Sequence, residues 1–369
     1  MPAESDSTGR CRAGEMSADP GMVEGPLRGY HHETYVFPLP PEAGAGGGGG
    51  GDGRWKCREP RESLLWFDRR CFVSEERLLT ELQGRIDNIP DLIEAGGTVL
   101  QRFIEGETLG TLHASGTAVP EEEFEQILAL FRQLVAVTPE TLLVKRRCEL
   151  RDRASEGDSA GFIDGLINFT EERVYGDNLR EYGQLFADLK LDPDSFKQLR
   201  KHVSGLRERP FCLLHADLHR ENLIVDHERR LWAIDWELAM LGDPLYDLAT
   251  HLYLMRYPSE QERRMTERWC TLVEGIRPGS SSGWREDLPK LLDYKKAQSV
   301  FTDVIRTSQS LCLEAKADRS LLRSASWTVW EVLSRGARPL GVETVPNAPA
   351  VEAALARWLR NHGGDTRSR

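Results

Sequence analysis

Three oxygen-bearing side chains near the middle of the chain have types and spacings that suit chemistry on phosphates: Asp217, Asn222 and Asp235. Asp217 and Asn222 lie in a segment that leaves one predicted strand and enters the next, so a tight loop can present both to one cleft. A predicted hairpin then returns Asp235 to that cleft. Carboxylate and carboxamide oxygens suit a hard, octahedral cation whose other ligands are water and phosphate oxygens. The chemistry that this set would serve is phosphoryl transfer, which consists mainly of positioning and charge neutralisation.

The composition narrows the classes of protein to which the chain can belong. Its 369 residues suit two lobes, and its net charge of −11 argues against a nucleic-acid partner, because duplex binding needs a basic surface. The net negative charge is compatible with a cationic substrate. No apolar window is long enough to span a bilayer, and the start lacks the features of a signal peptide. The seven scattered cysteines predict free thiols in a reducing compartment, so we expect a cytoplasmic protein.

The first part of the chain predicts a small β-rich lobe. Residues 1–25 contain few large apolar residues and are expected to be a disordered leader. Residues 26–110 contain predicted strands at 35–39, 54–58 and 99–104 and one helix at 74–82, for which Ser74 is the expected N-cap. A glycine-rich insertion at 43–53 predicts a long hairpin loop between the first two strands.

Residues 111–369 predict a larger and mostly helical lobe. Apolar residues at helical spacing recur along this part of the chain, and Asp243-Pro244 supplies an N-cap and an N1 proline for a further helix. Short predicted strands at 211–214, 223–225 and 231–234 interrupt the helices near the candidate site. The predicted helices are 121–137, 160–176, 194–207, the one that follows Asp243, 295–312, 321–335 and 348–361.

The sequence around these residues resembles the aminoglycoside phosphotransferase and choline kinase branch of the protein-kinase-like superfamily. That branch shows His-Gly-Asp-Leu-His-x-x-Asn, then Ile-Asp-Trp, then Gly-Asp-Pro-x-Tyr-Asp-Leu-Ala. The corresponding runs here are residues 215–222, 234–236 and 242–249, with Ala216 in place of glycine. The resemblance implies an α+β, protein-kinase-like fold with two lobes, a small β-rich N-lobe and a larger helical C-lobe. The catalytic loop would be 215–222 and the metal-binding segment 234–237.

The resemblance also implies roles for individual residues. Asp217 would be the catalytic base or would orient the hydroxyl, and Asn222 and Asp235 would bind Mg²⁺. We expect His215 and His219 to support the loop by hydrogen bonds. Among the neighbouring acids, Asp243 would cap a helix, Asp247 would bind backbone amides of the loop, and Glu237 would contact a second metal, a substrate amine or, as we favour, solvent.

The N-lobe is expected to hold ATP or GTP. The turn over residues 29–35 loosely resembles the family's phosphate-covering turn and would place His31 and His32 at the nucleotide, although an ordinary strand-to-strand turn is an equal alternative. Either Lys56 or Arg58 would pair with the phosphates, the other being exposed to solvent, and Glu76 is favoured over Glu75 as the helix carboxylate that anchors the cation. The base would lie against the strand that contains Gln101 and Phe103.

The sequence leaves the acceptor open. The expected function is Mg²⁺-dependent transfer of a γ-phosphate to a hydroxyl of a small molecule, such as an aminoglycoside-like or other amine-bearing compound. The alternatives are a kinase for Ser or Thr of a peptide and a catalytically silent nucleotide-binding protein. Residues 145–160 are expected to be a solvated loop or a lid. Candidate acceptor contacts on the C-terminal helices are Asp293, Asp303, Trp327, Trp330 and Glu331, although for any one of them a core tryptophan or a solvated acid is the favoured interpretation.

Overall fold

A five-stranded antiparallel sheet forms the N-terminal part of the computed structural model, which describes residues 8–27, 32–40, 53–60, 69–148, 153–313 and 319–362. Strands β2 and β3 pair along their length, from His32 opposite Pro60 to Pro38 opposite Arg54. The predicted hairpin is therefore confirmed, and its glycine-rich connection lies outside the described residues. The strand order is β1-β2-β3-β5-β4, with β1 (Glu24–Leu27), β2 (His32–Pro38), β3 (Arg54–Pro60), β4 (Leu92–Ala95) and β5 (Thr98–Arg102).

The leader does not match the prediction. Residues 8–16 form a helix, α1 (Thr8–Met16), which packs on the sheet. Gly9 and Ala13 lie one turn apart and are both buried, and a Cβ at Gly9 would come within 2.9 Å of the Tyr35 ring. These small residues let the helix approach the sheet closely, and Met16 at its end is the one large apolar side chain that the helix packs against the core of the sheet. The expectation of disorder is thus wrong for residues 8–25, and residues 1–7 are not described.

The second helix, α2 (Glu75–Leu82), packs beneath the sheet and carries residues of the site. Ser74 caps it by accepting a hydrogen bond from the Arg77 amide, as predicted. Leu78, Leu79 and Leu82 are fully buried in the main hydrophobic core. The face of the helix that these leucines bury fixes which of its acidic residues turn toward the strands.

Most helices of the described chain belong to the C-terminal part, and the helical segments predicted there are confirmed. None of the helices in the described ranges is long and apolar enough to cross a membrane. All seven cysteines are free thiols. The helices are α3 (Leu109–Leu112), α4 (Glu121–Ala136), α5 (Ser159–Phe169) extended by a π-helical turn (Thr170–Gly176), α6 (Leu179–Asp188), α7 (Pro193–His202), α8 (Pro244–Met255), α9 (Ser259–Ile276), α10 (Trp284–Leu313), α11 (Arg319–Gly336) and α12 (Ala348–His362).

Two small sheets position the candidate site within the C-lobe. Residues 223–225 and 231–233 pair as the predicted antiparallel hairpin. The strands of the first sheet, in spatial order, are β6 (Glu107–Thr108), β8 (Leu223–Val225) and β9 (Leu231–Ala233), and those of the second are β7 (Cys212–Leu214) and β10 (Met240–Gly242). Because β7 and β8 flank residues 215–222, and β9 and β10 flank residues 234–239, both segments start and end at fixed points.

A buried ion network holds the region behind the site. The Arg209 guanidinium is fully buried and forms two 2.7 Å hydrogen bonds to Asp243 and one of 2.8 Å to Asp287. Asp243 also accepts a 2.9 Å hydrogen bond from the Leu245 amide, which makes it the N-cap of α8 as predicted. The network therefore ties the start of α8, which carries Asp247, to α10.

Candidate active site

A cleft of about 670 Å³ lies between the sheet and the helical lobe. Lys56 and Arg58 on β3 line it from above, and Asp217 and Asp235 line it from below. The structure thus brings together residues that are far apart in the sequence and that are predicted to share one site.

The loop that bears Asp217 is held by a carboxylate beneath it. The backbone amides of His215 and Ala216 donate hydrogen bonds of 3.1 and 2.7 Å to the two oxygens of Asp247. Burial raises the pKa of Asp247 to about 6, although those two hydrogen bonds and the nearby Lys295 oppose the rise. His215 is fully buried, and its Nε2 lies 3.1 Å from the Ile234 carbonyl oxygen. The predicted supporting roles of Asp247 and His215 are confirmed by these contacts.

Ala216 has a left-handed backbone conformation, with φ of 63°, at the position where the family motif has glycine. A Cβ is disfavoured there, so Ala216→Gly should raise the free energy of unfolding by about 0.5–1 kcal/mol, which thermal or urea unfolding would measure. Ala249→Gly, in the interior of α8, is the matched control and should lower stability by a similar amount. A loss of stability in Ala216→Gly would contradict the strain assigned to this residue.

Asn222 and His219 both contact Asp217. The Asn222 Nδ2 donates hydrogen bonds to the backbone oxygen of Asp217 at 2.9 Å and to its Oδ2 at 3.0 Å. His219 Nε2 lies 3.4 Å from the same Oδ2, while its Nδ1 accepts a hydrogen bond from the Glu221 amide. Burial lowers the pKa of His219, but Asp217 and other nearby acids raise it, and the net pKa is above its ordinary value. Asn222 is left with its Oδ1 as the atom that can bind a cation.

Asp235 enters the cleft from a strained turn. Its φ of 62° and ψ of 66° are left-handed, and it directly precedes a short 3₁₀ turn (Trp236–Leu238). Burial acts to raise the pKa of Asp235, but Arg58 and Lys56 outweigh it, so the pKa lies below its usual range. The Ile234 amide donates a 3.0 Å hydrogen bond to the Asn222 carbonyl, which fixes Asp235 beside the Asn222 loop.

The pair of Asn222 and Asp235 fits Mg²⁺ in the chemistry of its donors. Both offer only oxygen to a cation, once the Asn222 nitrogen is engaged with Asp217. Within the described part of the chain, no group of three or more His, Cys, Asp or Glu side chains is arranged to bind a metal. Two protein oxygens suit a cation that obtains its remaining ligands from phosphate and water.

The cation on the strand that reaches these acids is Arg58. Its guanidinium forms an ion pair with Glu75 and lies 3.3 Å from Asp235 Oδ1. Glu75 also accepts a 3.0 Å hydrogen bond from the Trp236 amide, so it joins α2 to the turn after Asp235. The preference for Glu76 was wrong: the Glu76 carboxylate accepts from the Ser74 hydroxyl at 2.7 Å, because the next residue on a helix faces about 100° away.

Lys56 lines the cleft as well. It lies two residues before Arg58 on β3 and so shares its face. Burial, followed by repulsion from Arg58, lowers the pKa of Lys56 to about 8, although Glu75 and Asp235 oppose the shift. The expectation that one of these two cations is exposed to solvent is therefore wrong, and two positive charges face the acids.

Of the two residues predicted to lie against the nucleotide base, Gln101 and Phe103, only Phe103 is among the described residues that line the cleft. Phe103 and Ile104 line it, and the Phe103 amide is bonded to the Arg54 carbonyl at 2.8 Å. Gln101 is 2% exposed and is not among the described residues that line the cleft. The sequence analysis missed Ile224 and Ile234 on the opposite wall. Ile224 is the middle residue of β8 and lies between two buried neighbours, so strand alternation was the signal that could have identified it.

The turn predicted to cover the phosphates is only partly described. Residues 28–31, including His31, lie outside the described residues. His32 lines the cleft, and its Nδ1 lies 3.6 Å from Glu237 Oε2. The Glu33 carboxylate accepts a 3.2 Å hydrogen bond from the Tyr35 hydroxyl, and Glu33 is absent from the cleft lining among these residues.

A comparison with known proteins identifies the family to which the chain belongs. Residues 74–279, more than half of the chain, match the model of the phosphotransferase enzyme family. The chain belongs to this family. The protein is accordingly a small-molecule phosphotransferase that uses ATP and has an alcohol group as its acceptor.

Solved structures agree with the fold. A protein from Ralstonia eutropha described as a putative aminoglycoside phosphotransferase is 15% identical, with 91% of this chain and 92% of that one covered and a TM-score of 0.50. A macrolide 2′-phosphotransferase from Brachybacterium faecium is 18% identical, with coverage of 83% and 91% and a TM-score of 0.48. A choline/ethanolamine kinase family protein from Mesorhizobium loti is 17% identical, with coverage of 94% and 98% and a TM-score of 0.46. The predicted two-lobed kinase-like fold and the family resemblance are confirmed.

Glu237 of the phosphotransferase is a buried member of the site and does not face solvent. Its side chain is 6% exposed, and one carboxylate oxygen lies 2.7 Å from Arg70 Nη2. The other oxygen lies 3.7 Å from Arg58 and close to His32. The preference for a solvent-facing Glu237 was wrong because the 3₁₀ turn after Asp235 directs this carboxylate to Arg70 and Arg58.

Few of the acceptor contacts expected in the phosphotransferase lie at the cleft. Asp303 lines it, whereas Asp293 bonds His202 and Lys296, each at 2.8 Å. The expected lid is also partly anchored: Arg146 pairs with Phe72 in a β-bridge, and residues 149–152 are not described. Three of the expected acceptor contacts lie on α11 and are not among the described residues that line the cleft. They are Trp327 and Trp330, whose rings are 4.8 Å apart, and Glu331, which pairs with Arg335.

Proposed function

We propose that this protein transfers the γ-phosphate of ATP to a hydroxyl of a small molecule, with Asp217 orienting that hydroxyl and Asn222 and Asp235 binding Mg²⁺. The observation that supports this most directly is that Asp217 and Asp235 line one cleft, opposite Arg58 and Lys56, while the buried Asn222 is hydrogen-bonded to Asp217. A catalytically silent relative would be expected to have lost one of the three. All are present, and each is held by hydrogen bonds or ion pairs.

Each residue has a definable task in the reaction. The acceptor oxygen forms a bond to the γ-phosphorus while the bond from phosphorus to the bridging oxygen of ADP breaks, and the hydroxyl proton passes to the Asp217 carboxylate. Mg²⁺ would neutralise charge on the phosphate oxygens. Arg58 and Lys56 supply fixed positive charge on the opposite side, and the Glu75 pair keeps Arg58 in place before the nucleotide arrives.

The position of Asp217 depends on the loop beneath it. Asp247 holds two consecutive loop amides, and Asp243 and Arg209 fix the helix that carries Asp247. A catalytic group that is aligned in advance needs no reorganisation during the reaction. Because the transition state of phosphoryl transfer is loose, alignment of the hydroxyl by Asp217 matters more than removal of its proton.

A screen with labelled ATP and GTP tests the proposal. The acceptors are aminoglycosides, other amino sugars, amino alcohols, nucleosides, hydroxy acids and Ser/Thr peptides, each with and without Mg²⁺. We expect Mg²⁺-dependent labelling of a small molecule. Labelling confined to peptides, or labelling that persists after chelation of Mg²⁺, would contradict the proposal.

A further inference from the structure

One wall of the cleft is made by α8 and α10, and it borders the catalytic loop. We call the cleft-lining residues of 253–256 and 295–306 the α8–α10 wall. The Tyr253 hydroxyl donates a 2.7 Å hydrogen bond to Ser299 Oγ, which joins the two helices. Gln298 and Ala216 line one small cavity, so the wall begins next to Asp217. An acceptor whose hydroxyl reaches Asp217 would therefore extend over this wall.

The wall is predominantly cationic among the described residues. Arg256, Lys295 and Arg306 line it, whereas Asp303 is its single described carboxylate. The chain as a whole carries a net charge of −11, so this local excess of positive charge is opposite in sign to the average. A cationic wall repels a polycationic acceptor and attracts an anionic one.

Arg256 is the clearest member of this group. It has left-handed backbone angles, φ 49° and ψ 54°, at the end of α8. Its amide is bonded to the Leu252 carbonyl, and its carbonyl accepts a 3.1 Å hydrogen bond from the Gly116 amide. These bonds hold the strained backbone in place, while the guanidinium forms no ion pair or hydrogen bond with any residue that the structure describes. An exposed cation on a fixed backbone, lining a cleft without a described counterion, is suited to an anionic ligand.

Lys295 adds a second cation that is nearly buried. The residue is 8% exposed, and its Nζ lies 2.9 Å from Gln298 Oε1 and 3.4 Å from the Tyr246 hydroxyl. It also lies 5.4 Å from the centre of the Tyr246 ring. The contacts with Gln298 and Tyr246 hold the ammonium at the cleft, where it also acts on the buried Asp247 carboxylate and opposes the rise of its pKa.

We propose that the acceptor carries an anionic group, a carboxylate or a phosphate, which Arg256 and Lys295 recognise while its hydroxyl lies at Asp217. This inference rests on the proposed function and names the substrate class of the same site. The guanidinium fork matches the paired oxygens of a carboxylate or phosphate. It replaces the amine-bearing acceptor expected from the family resemblance.

The test is a phosphorylation screen in which hydroxyl compounds differ only in charge. Each scaffold is supplied in four forms, for example glucuronate, glucose 6-phosphate, neutral glucose and cationic glucosamine, so the carboxylate and phosphate arms are read separately. The variants are Arg256→Gln, Arg256→Glu and Arg263→Gln. Arg263 is an exposed arginine on α9, paired with Glu260 and Glu267, and serves as the matched control.

We expect an anionic form to be phosphorylated with the highest kcat/KM. Arg256→Gln should raise its KM about 10-fold or more with kcat changed by less than about threefold, because the anion contact is present in ground and transition states alike. Arg256→Glu should shift the ratio of kcat/KM for the anionic and cationic forms by about 100-fold toward the cation, and Arg263→Gln should change neither value.

Preferential labelling of cationic or neutral forms, labelling of no anionic form, or an unchanged KM in Arg256→Gln would overturn the inference. The proposed function would survive each of these outcomes as long as some small-molecule acceptor were labelled. It would fail together with the inference only if no acceptor of any charge were labelled.

Discussion

Asp217→Asn should lower kcat by about 10²-fold or more and leave nucleotide affinity nearly unchanged. The carboxamide preserves size and can still accept the hydrogen bond from Asn222, which in the native protein is 3.0 Å long. It cannot take up the acceptor's proton, and its amide presents donors where the hydroxyl needs an acceptor. Steady-state kinetics with an acceptor from the screen, together with a nucleotide-binding titration, separates the two effects.

Glu221→Gln is the matched control for this experiment. Glu221 lies on the same loop and accepts a hydrogen bond from the Thr108 hydroxyl at 2.9 Å, and it is not among the described residues that line the cleft. The control removes one carboxylate charge close to Asp217, yet kcat should stay within about threefold of the native value. If Asp217→Asn behaved like this control, Asp217 could not be the group that orients the acceptor.

The local parts of the site were predictable from the sequence because they lie in short, connected runs. Asp217 and Asn222 are separated by one tight loop, and the hairpin of β8 and β9 has only a few residues between its strands. Such spacing limits where Asp235 can go. The N-cap roles of Ser74 and Asp243 were also predictable, since a polar residue before an apolar helical pattern has few other uses.

The contacts that were missed depend on packing between distant segments. Glu75 and Glu76 are adjacent, and only the rotation of α2 about its axis decides which of them meets Arg58. The burial of Leu78, Leu79 and Leu82 sets that rotation, and this depends on the whole core. Helix α1 was missed for a related reason: its buried residues are small, and their value lies in the shape of the sheet surface that receives them.

The positive charge of the α8–α10 wall could not be predicted from the sequence either. Arg256 follows α8 and Lys295 lies within α10. Arginine and lysine usually lie on the surface, so neither residue stands out in the sequence. Their placement beside the catalytic loop results from the packing of the two helices, which the hydrogen bond between Tyr253 and Ser299 marks. A net charge of −11 pointed in the opposite direction, because a total says nothing about one wall.

Asp235→Asn should abolish the dependence of nucleotide affinity on Mg²⁺. The native protein should bind a non-hydrolysable ATP analogue at least about 10-fold more tightly with Mg²⁺ than with a chelator, whereas the variant should bind it equally in both. Asparagine is the better substitution because Asp235 has φ of 62°, a conformation that asparagine adopts more readily than alanine does. A carboxamide is a weaker ligand for a hard cation than a carboxylate, so the loss falls on the metal-dependent part of binding.

Asp303→Asn is the control that distinguishes the loss of a Mg²⁺ ligand from the loss of one negative charge in the cleft. It removes the same unit of negative charge from the same cleft, but from the α8–α10 wall, and should leave the Mg²⁺ dependence intact. An electrostatic effect of the cleft as a whole would make the two variants alike. If Asp235→Asn kept the native response to Mg²⁺, or if the native protein showed none, Asp235 would be assigned instead as the partner of Arg58, from which it lies 3.3 Å away.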